Sequence, residues 1–279
     1  MGAPMEKSAE LKTLLTQPVQ PLGLAGNPNM EEGCVTAAYD AGVNYFFFYN
    51  LSFGSIIAGL KPLLRAQRDK IVVATGSESR NPSALRADLD EVRRQLAVDM
   101  VDVFFAEYVS PGDDTEALCG SGGVFDELHR WKAQGLIRYV GATTHNRPLA
   151  VDLIESGRIE VLMHRYNMAH RGAEEQVLPH ARATGIPVVA FTCTRWGSLL
   201  EGHRDWEGSV PNAADCYRYA LHHPAVHIAL TAPTTVKHLE ENMVALKGAE
   251  RDPTRLSLWD AYGKLVYGNG TDAFETQWP

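Results

Sequence analysis

Three consecutive segments between Ile137 and Leu200 constrain the fold of this chain more than any other feature. Each begins with a short apolar run rich in β-branched and aromatic residues, continues into a polar cluster, and leads to a stretch with helical spacing. Three such units in series predict parallel strands, whose ligands bind at the carboxyl ends. The functional site is therefore expected at the three polar clusters, which are Thr143 to Asn146, His164 to Asn167 and Thr192 to Gly197.

The same alternation extends over most of the 279 residues. Strands are predicted at 21–26, 43–49, 70–75, 101–106, 137–142, 159–163, 187–192 and 226–230, and helices at 30–41, 53–64, 82–96, 124–135, 147–156, 174–184, 213–222 and 236–246. Eight strand–helix units are typical of the (β/α)₈ TIM barrel. One domain is predicted over 1–279, with a short helix or cap before Pro18 and a tail at 250–279 packing outside the barrel or over its mouth.

Charge and cysteine usage limit the partners. A net charge of −8 disfavours nucleic acid and anionic membranes, which select a concentrated basic face. The four cysteines are widely separated and form neither a CxxC motif nor a zinc-binding spacing, so no metal is expected. No apolar run has the length of a membrane-spanning helix. The sequence thus predicts a reducing cytoplasmic location and a small-molecule substrate.

Four motifs in order resemble the aldo-keto reductase superfamily. They are GVNYF at 42–46 before Phe53-Gly54, GLIRYVG at 135–141 before a threonine pair, AFT at 190–192 before RWGSLL, and HLEEN at 238–242. The resemblance covers residues 18–247. It implies a barrel that binds NADP(H) in extended form across the strand ends.

The residues that carry catalysis in that family are replaced. Members have an aspartate, a tyrosine, a lysine and a histidine where this chain has Phe47 or Phe48, Phe53, Gly76 and Glu107. In the family the tyrosine hydroxyl donates a proton to the substrate oxygen. Because phenylalanine has no such proton, the usual mechanism is not expected.

Glu107 and Tyr49 are two candidates to replace the missing groups. Glu107 ends an apolar strand, where burial raises the pKa of a carboxyl group and lets it act as an acid or base. Glutamate at this position also resembles the steroid 5β-reductases, which reduce a carbon–carbon double bond. Alternatively, Glu107 is a structural carboxylate paired with Arg165 or Arg195. Tyr49, or Tyr108 beside Glu107, could supply the missing phenol or could simply pack at the rim.

His145 and Arg165 are the other two candidates. His145 lies where the family holds the nicotinamide carboxamide, so it is either an acid–base group or a hydrogen-bonding loop residue. Alternation along strand six puts Arg165 and Asn167 on one face and His164 and Tyr166 on the other. An inward Arg165 would favour an anionic substrate, whereas an outward one would pair with a helix.

The cofactor motifs are better preserved than the catalytic ones. Phe191 takes the place of the aromatic ring on which nicotinamide stacks, and residues 192–200 form the loop expected to approach the pyrophosphate. Ala232 and Pro233 stand where the family has a glycine or a lysine, and HLEEN is alternatively an ordinary exposed helix. The predicted cofactor residues are Thr143, Thr144, Phe191, Thr192, Arg195, Gly197, Leu199, Lys237 and His238 at the 2′-phosphate, and Glu241 and Asn242 at the adenine.

Three functions follow, in order of preference. The first is an atypical NADP(H)-dependent oxidoreductase acting on a carbonyl or an activated double bond. The second is a redox-neutral lyase, dehydratase or isomerase that uses Glu107 and His145, and the third is a non-catalytic nucleotide-binding regulatory subunit. Substrate specificity is expected in segments 110–123, 201–211 and 271–279. The sequence predicts no oligomeric state.

Overall fold

Eight parallel strands form a closed barrel in sequence order. The computed structural model describes residues 11–247 and 253–270. The strands are β1 (Leu22–Ala25), β2 (Tyr45–Phe47), β3 (Val72–Ser77), β4 (Val101–Ala106), β5 (Ile137–Thr144), β6 (Val161–Arg165), β7 (Val188–Phe191) and β8 (Val226–Thr231). The (β/α)₈ barrel predicted from the alternation is confirmed.

Ten α-helices of the described residues surround this barrel. They are α1 (Cys34–Asp40), α2 (Gly54–Gln67), α3 (Pro82–Leu96), α4 (Thr115–Cys119), α5 (Val124–Ala133), α6 (Arg147–Glu155), α7 (Val177–Thr184), α8 (Ala213–His222), α9 (Val236–Met243) and α10 (Pro253–Tyr267). The predicted start of α3 is confirmed, because Asn81 accepts hydrogen bonds from the Ser83 and Ala84 N–H groups and Pro82 is the first helical residue.

Several predicted bounds were wrong for local reasons. Of the helix or cap predicted before Pro18, residues 11–18 form no helix, because Lys12 and Pro18 pair in an antiparallel bridge, and Leu11 instead packs against the barrel interior as a cap does. The first helix begins at Cys34 rather than at residue 30, since Gly33 precedes it with a left-handed φ of 104°. The predicted loop 110–123 contains α4, whose first turn Asp114 caps by accepting from the Ala117 N–H. The sixth strand lies two residues later than predicted and therefore includes Arg165.

Alternation along the strands separates two apolar cores. One fills the barrel and includes Tyr45, Phe47 and Phe105, while the other lies between the strands and the surrounding helices and includes Phe46 and Phe48. Of the two phenylalanines that could take the aspartate position, it is therefore Phe47 that faces the interior.

The amino end of the barrel is closed. Leu11 packs into the interior core from the N-terminal segment. Beneath it, the fully buried Asp102 carboxylate accepts ion pairs from Arg68 at 2.9 Å and Arg138 at 2.8 Å, and Arg138 also donates to the Lys12 carbonyl oxygen. Because these contacts close the amino end of the barrel, the open end is the carboxyl end.

Helix α10 packs beside the loop that follows β7. The Tyr262 hydroxyl donates to the Leu199 carbonyl at 2.9 Å, and Arg195 donates to the Val266 carbonyl at 2.5 Å. The rest of the predicted tail, including the specificity segment 271–279, lies outside the described residues. Among the described helices, none has the length and apolarity to cross a membrane.

Candidate active site at the barrel mouth

A cavity of about 670 Å³ opens at the carboxyl end of the barrel. We call it the mouth cavity, and it is lined from β2 by Phe47 and Tyr49, from the β4 and β5 loops by Tyr108 and His145, and from β7 by Phe191. The volume is typical of a small-molecule or cofactor site. Five of the site residues predicted from sequence therefore line one cavity, namely Tyr49, His145, Phe191, Thr192 and Gly197.

The aromatic rings of the mouth cavity form a continuous wall. Phe47 meets Tyr49 edge-on at 4.8 Å between ring centroids, Tyr49 stacks on Tyr108 at 5.6 Å, and Tyr108 stacks on His145 at 6.2 Å. His145 then meets Phe191 edge-on at 4.9 Å. Offset and edge-on contacts of this kind stabilise the wall and fix the ring orientations.

Tyr49 and Tyr108 place two phenol groups in the mouth cavity. Their hydroxyls hydrogen-bond to one another. Burial, and then the neighbouring phenol, raise the pKa of Tyr49, and burial also raises the pKa of Tyr108. Both phenols are therefore protonated at neutral pH, and each has a proton to donate. The mouth cavity therefore contains phenol groups, although position 53 is a phenylalanine.

Tyr108 has a strained backbone conformation, which hydrogen bonds to Thr143 hold in place. Its φ of 50° lies in the left-handed region, which a tyrosine rarely adopts. The Tyr108 N–H donates to the Thr143 hydroxyl at 2.7 Å, and the Val109 N–H donates to the Thr143 carbonyl at 2.9 Å. Thr143, predicted to touch the cofactor, thus positions Tyr108.

His145 is a neutral imidazole in this site. Burial, followed by the positive charge of Arg165, lowers its pKa to about 4. A histidine with this pKa is uncharged at neutral pH and is a weak base there. The lowered pKa weighs against the acid–base alternative for His145, and the choice between its two roles stays a prediction.

The polar cluster after β6 divides as alternation predicts. Arg165 is 3% exposed and continues the interior face formed by Val161 and Met163. His164 lies on the outer face and donates from Nδ1 to the Thr144 carbonyl at 2.8 Å. Asn167 donates to the Thr192 carbonyl at 2.8 Å and so ties this cluster to the β7 loop.

The loop after β7 has the most strained backbone of the described chain. Thr192, Arg195 and Trp196 have φ between 52° and 56°, and Gly197 has φ of 94°. With Tyr108, four of the six non-glycine residues at positive φ among the described residues lie at this end of the barrel. Such strain persists where the surrounding structure imposes it, and it clusters at functional sites.

Only part of the loop after β7 faces the mouth cavity. Thr192, Trp196 and Gly197 line the mouth cavity, whereas the Leu199 side chain is fully buried in the outer core. The Gly197, Ser198 and Leu199 N–H groups donate to carbonyls within the loop. Phe191 and Thr192 thus face the mouth cavity, whereas those three amides already have hydrogen-bond acceptors within the loop.

Glu107 lies in a second cavity beside the mouth cavity. It is 2% exposed, and burial followed by the Glu78 charge raises its pKa well above the ordinary value. A Cβ atom at position 76 would collide with the Phe105 carbonyl oxygen and lie 2.7 Å from Glu107 Cγ. Glycine at position 76 therefore makes room for the Glu107 side chain, and the two residues form one packing unit.

The charged neighbours of Glu107 differ from those predicted. Its pKa responds to Glu78, Arg80 and Asp88, whereas Arg195 donates to α10. The predicted pairing of Glu107 with Arg195 or Arg165 is therefore not observed, and other charged groups lie near this carboxyl. Glu107 and His145 also line different cavities, so the redox-neutral hypothesis that combined them loses its geometric basis.

The residues predicted to hold the adenosine lie on α9, away from the mouth cavity. Lys237 and Glu241 are exposed and 3.9 Å apart, and His238 hydrogen-bonds through Nδ1 with the Thr234 hydroxyl at 2.8 Å. Asn242 is 7% exposed and donates to the Thr231 hydroxyl at 2.9 Å. The adenosine assignment on α9 stays a prediction.

Two features of this region were missed from sequence. Asn27 after β1 donates to the Ala232 and Pro233 carbonyls, at 3.1 and 2.8 Å, and so fastens the β1 loop to the β8 loop beside the mouth cavity. Glu31 accepts from the Val236 N–H at 3.1 Å, at the start of α9. The polar run NPN after β1 is the strand-end signal used for β5 to β7, and it could have identified Asn27.

Comparison with known proteins identifies proteins that are similar to this chain. The model of the Aldo/keto reductase family matches residues 27–211. The NADH-specific methylglyoxal reductase of Escherichia coli (strain K12) is 22% identical over 171 residues, which are 54% of this chain and 51% of that protein. The match thus spans about half the length of this curated relative.

Solved structures share the fold. An aldo-keto reductase from Bacillus halodurans in its holo form superposes with a TM-score of 0.76 at 16% identity, covering 91% of this chain and 95% of that one. An aldo/keto reductase from Klebsiella pneumoniae, in complex with NADP and acetate, gives a TM-score of 0.73 at 17% identity, covering 92% and 96%.

Proposed function

Because this chain belongs to the aldo/keto reductase family, a family of oxidoreductases, we propose that it is a nicotinamide-nucleotide-dependent reductase of an unusual kind. It acts on a small carbonyl compound or an activated double bond in the mouth cavity. The observation that carries this proposal is the cavity that combines Phe191 with a hydrogen-bonded pair of protonated tyrosines.

The cofactor is NADP(H). The Klebsiella pneumoniae relative was solved with NADP, and Phe191 offers the aromatic surface that nicotinamide needs. When bound, the reduced nicotinamide supplies the hydride. The neutral His145 ring stands 4.9 Å from Phe191, where it can orient the carboxamide by hydrogen bonding without adding a charge.

The tyrosine pair replaces the missing catalytic phenol. Tyr49 or Tyr108 donates its proton to the substrate oxygen or carbon, and the other phenol stabilises the resulting phenolate through their hydrogen bond. The raised pKa of Tyr49 makes it a weaker acid than an ordinary phenol. We therefore expect slow turnover compared with a reductase whose phenol is activated by a lysine.

The substrate is small, and the interior charge favours an anion or a strongly polarised carbonyl. Arg165 acts electrostatically on His145 at the cavity wall. The curated relative is named for methylglyoxal, a small dicarbonyl compound. Methylglyoxal and small 2-oxo acids are therefore the first compounds to test.

The direct test measures binding and turnover with one protein preparation. We expect NADPH to raise the melting temperature and to have its fluorescence changed on binding, and we expect its oxidation when methylglyoxal or a 2-oxo acid is added. No binding of either NADPH or NADH would contradict the proposal. Binding without oxidation across a panel of carbonyls and activated alkenes would favour the regulatory-subunit alternative.

Removal of the phenols tests the proton donor. Tyr49→Phe and Tyr108→Phe each keep the ring packing, and we expect the double variant to lose about 100-fold in kcat, within the usual range for general acid catalysis, with NADPH affinity retained. Tyr139→Phe is the matched control, because Tyr139 packs against the interior core outside the mouth cavity. Full activity of the double variant would exclude the tyrosine pair.

A further inference from the structure

The second cavity, which contains Glu107, is a separate space with its own chemistry. Its volume is about 300 Å³, less than half that of the mouth cavity and at the lower end of the range for ligand pockets. It lies between the end of β3, helix α3 and the segment after β2. Tyr49 lines both cavities and forms the wall between them.

Acidic groups dominate this space, which we call the acidic cavity. Glu78, Asp88, Glu91 and Glu107 line it, and no lysine, arginine or histidine of the described residues does. Glu91 is paired with Arg94 at 2.6 Å, and Asp88 accepts from the Ser77 hydroxyl at 2.5 Å. The nearby Arg80 is directed to Asp113 at 2.8 Å, so its charge is largely neutralised.

Glu107 is the independent sign that the acidic cavity takes a ligand. It is 2% exposed, and its Oε1 atom has no hydrogen-bond partner among the described residues. Oε1 would lie 2.9 Å from a Cβ atom at Gly76, which itself lines the acidic cavity, so the carboxyl group occupies the space that glycine leaves there. Leaving a buried polar atom without a partner costs free energy, which a ligand that donates a hydrogen bond would recover.

The chemistry of the lining selects an organic cation. In the described parts of the chain, no group of three or more His, Cys, Asp and Glu residues is arranged to hold a metal ion. A primary ammonium group has three N–H donors, which suit separate carboxylates, and the Tyr49 ring adds an aromatic surface that attracts cations. We propose that the acidic cavity binds a small molecule carrying a primary ammonium group, with Glu107 as its buried counter-charge.

Binding is coupled to proton release. The charged and titratable groups around Glu107 are Glu78 and Arg80 from the β3 loop, Asp88 from α3, and the two phenols Tyr49 and Tyr108. Burial raises the pKa of Glu107 well above the ordinary value of a glutamate, so without a cation this carboxyl group is protonated more readily than an exposed one. An ammonium ion favours the ionised carboxylate, so its binding shifts the equilibrium toward proton release. The affinity for ammonium therefore increases with pH.

Calorimetry with butylammonium chloride tests the site in the full-length protein. We expect saturable binding at constant ionic strength, no binding of the neutral 1-butanol, and proton release that makes the heat depend on the buffer. Glu107→Gln preserves the side-chain size and should lower the affinity at least tenfold and abolish the proton release. Glu240→Gln is the matched control, since Glu240 is exposed on α9, and it should bind as the unaltered protein does.

Three results would overturn the proposal. The first is equal affinity for butylammonium and 1-butanol, which would show that the cavity binds the butyl chain and does not recognise the ammonium group. The second is unchanged binding and proton release in Glu107→Gln, provided that its circular dichroism spectrum and melting temperature show a folded protein. The third is preference for Mg²⁺ over butylammonium, which would assign the carboxylates to a metal. NADPH binding is measured in the same samples, so that failure here is distinguishable from failure of the proposed reductase function.

Discussion

The two sides of the barrel mouth have opposite chemical character. On the β5 to β8 side, neutral histidines surround the buried Arg165, and a strained loop follows Phe191. On the β2 to β4 side, aromatic rings line the barrel interior and Glu107 lies in the second cavity. The first side therefore differs from a simple barrel rim by its strained backbone. The second side is distinguished by close packing, because a Cβ atom at Gly76 would occupy the same space as the Glu107 side chain.

The largest expected difference between the two sides is the loss of stability when a glycine on each side is replaced by alanine. A Cβ atom at Gly76 would collide with the Phe105 backbone. A Cβ atom at Gly197 would meet nothing within 4 Å, but the Gly197 backbone has a φ of 94°, which strains any other residue. We expect Gly76→Ala to destabilise the protein by about 3 kcal/mol through overpacking. Gly197→Ala should cost about 1 kcal/mol through backbone strain. Urea unfolding of both variants measures the two free energies.

The double variant Gly76→Ala/Glu107→Ala separates the two clashes at position 76. It removes the contact with the Glu107 side chain but keeps the one with the Phe105 carbonyl. Partial recovery relative to Gly76→Ala is the expected result. Equal stabilities for Gly76→Ala and Gly197→Ala would show that β3 shifts freely and that Gly76 and Glu107 are not coupled.

The pH dependence of stability should differ in sign between the two sides. Burial lowers the pKa of His145 to about 4 and that of His164 to about 3, from 6.5 in a flexible chain. Between about pH 4 and 6.5 the unfolded chain binds more protons at these sites, so acid lowers stability. The raised pKa of Glu107 means that the folded protein binds more protons above pH 4.5, so alkali lowers stability.

Two substitutions isolate these contributions. Glu107→Gln should flatten the decline in unfolding free energy on the alkaline side, and His164→Asn should flatten it on the acid side. Urea unfolding from about pH 4 to 8.5 gives both slopes. An unchanged alkaline slope in Glu107→Gln would mean that Glu107 is ionised in the folded protein.

The sequence predicted the barrel because its signal is repeated eight times, so errors of a few residues in single strands did not change the count. The wrong bounds arose where backbone geometry decides, as at Gly33, whose left-handed conformation delays α1. Strand-end position correctly predicted that Tyr49, His145 and Phe191 line one cavity. Alternation along β6 correctly separated Arg165 from His164, and Arg165 is the one that points into the barrel.

Interactions between distant segments could not be predicted in this way. The separation of Glu107 from His145 depends on Tyr49, which follows β2, lines both cavities and stacks on Tyr108 after β4. The left-handed conformation of Tyr108 depends on the Thr143 hydroxyl, 35 residues later. Neither contact leaves a periodic pattern in the chain, so only the assembled barrel reveals them.

Nucleotide binding should depend on one side alone. Phe191→Ala removes the aromatic surface, and we expect it to weaken NADPH binding about tenfold, equivalent to about 1.4 kcal/mol. Glu107→Gln, across the Tyr49 wall, should change that affinity less than about twofold. Fluorescence titration with NADPH measures both. A larger effect from Glu107→Gln would place the nicotinamide against the β2 to β4 side instead.

The smallest effects are expected at α9, which is predicted to decide the preference between NADPH and NADH. Lys237→Ala breaks an exposed 3.9 Å pair with Glu241, so its effect on stability should be below about 0.5 kcal/mol. If Lys237 reaches a 2′-phosphate, this variant weakens NADPH binding several-fold and leaves NADH unchanged. The Glu31 carboxylate accepts from the first N–H of α9 and repels a phosphate there, so Glu31→Gln should shift preference toward NADPH. Equal responses of both nucleotides in both variants would remove α9 from the cofactor site, leaving Phe191 and its loop as the part of the mouth that recognises the nucleotide.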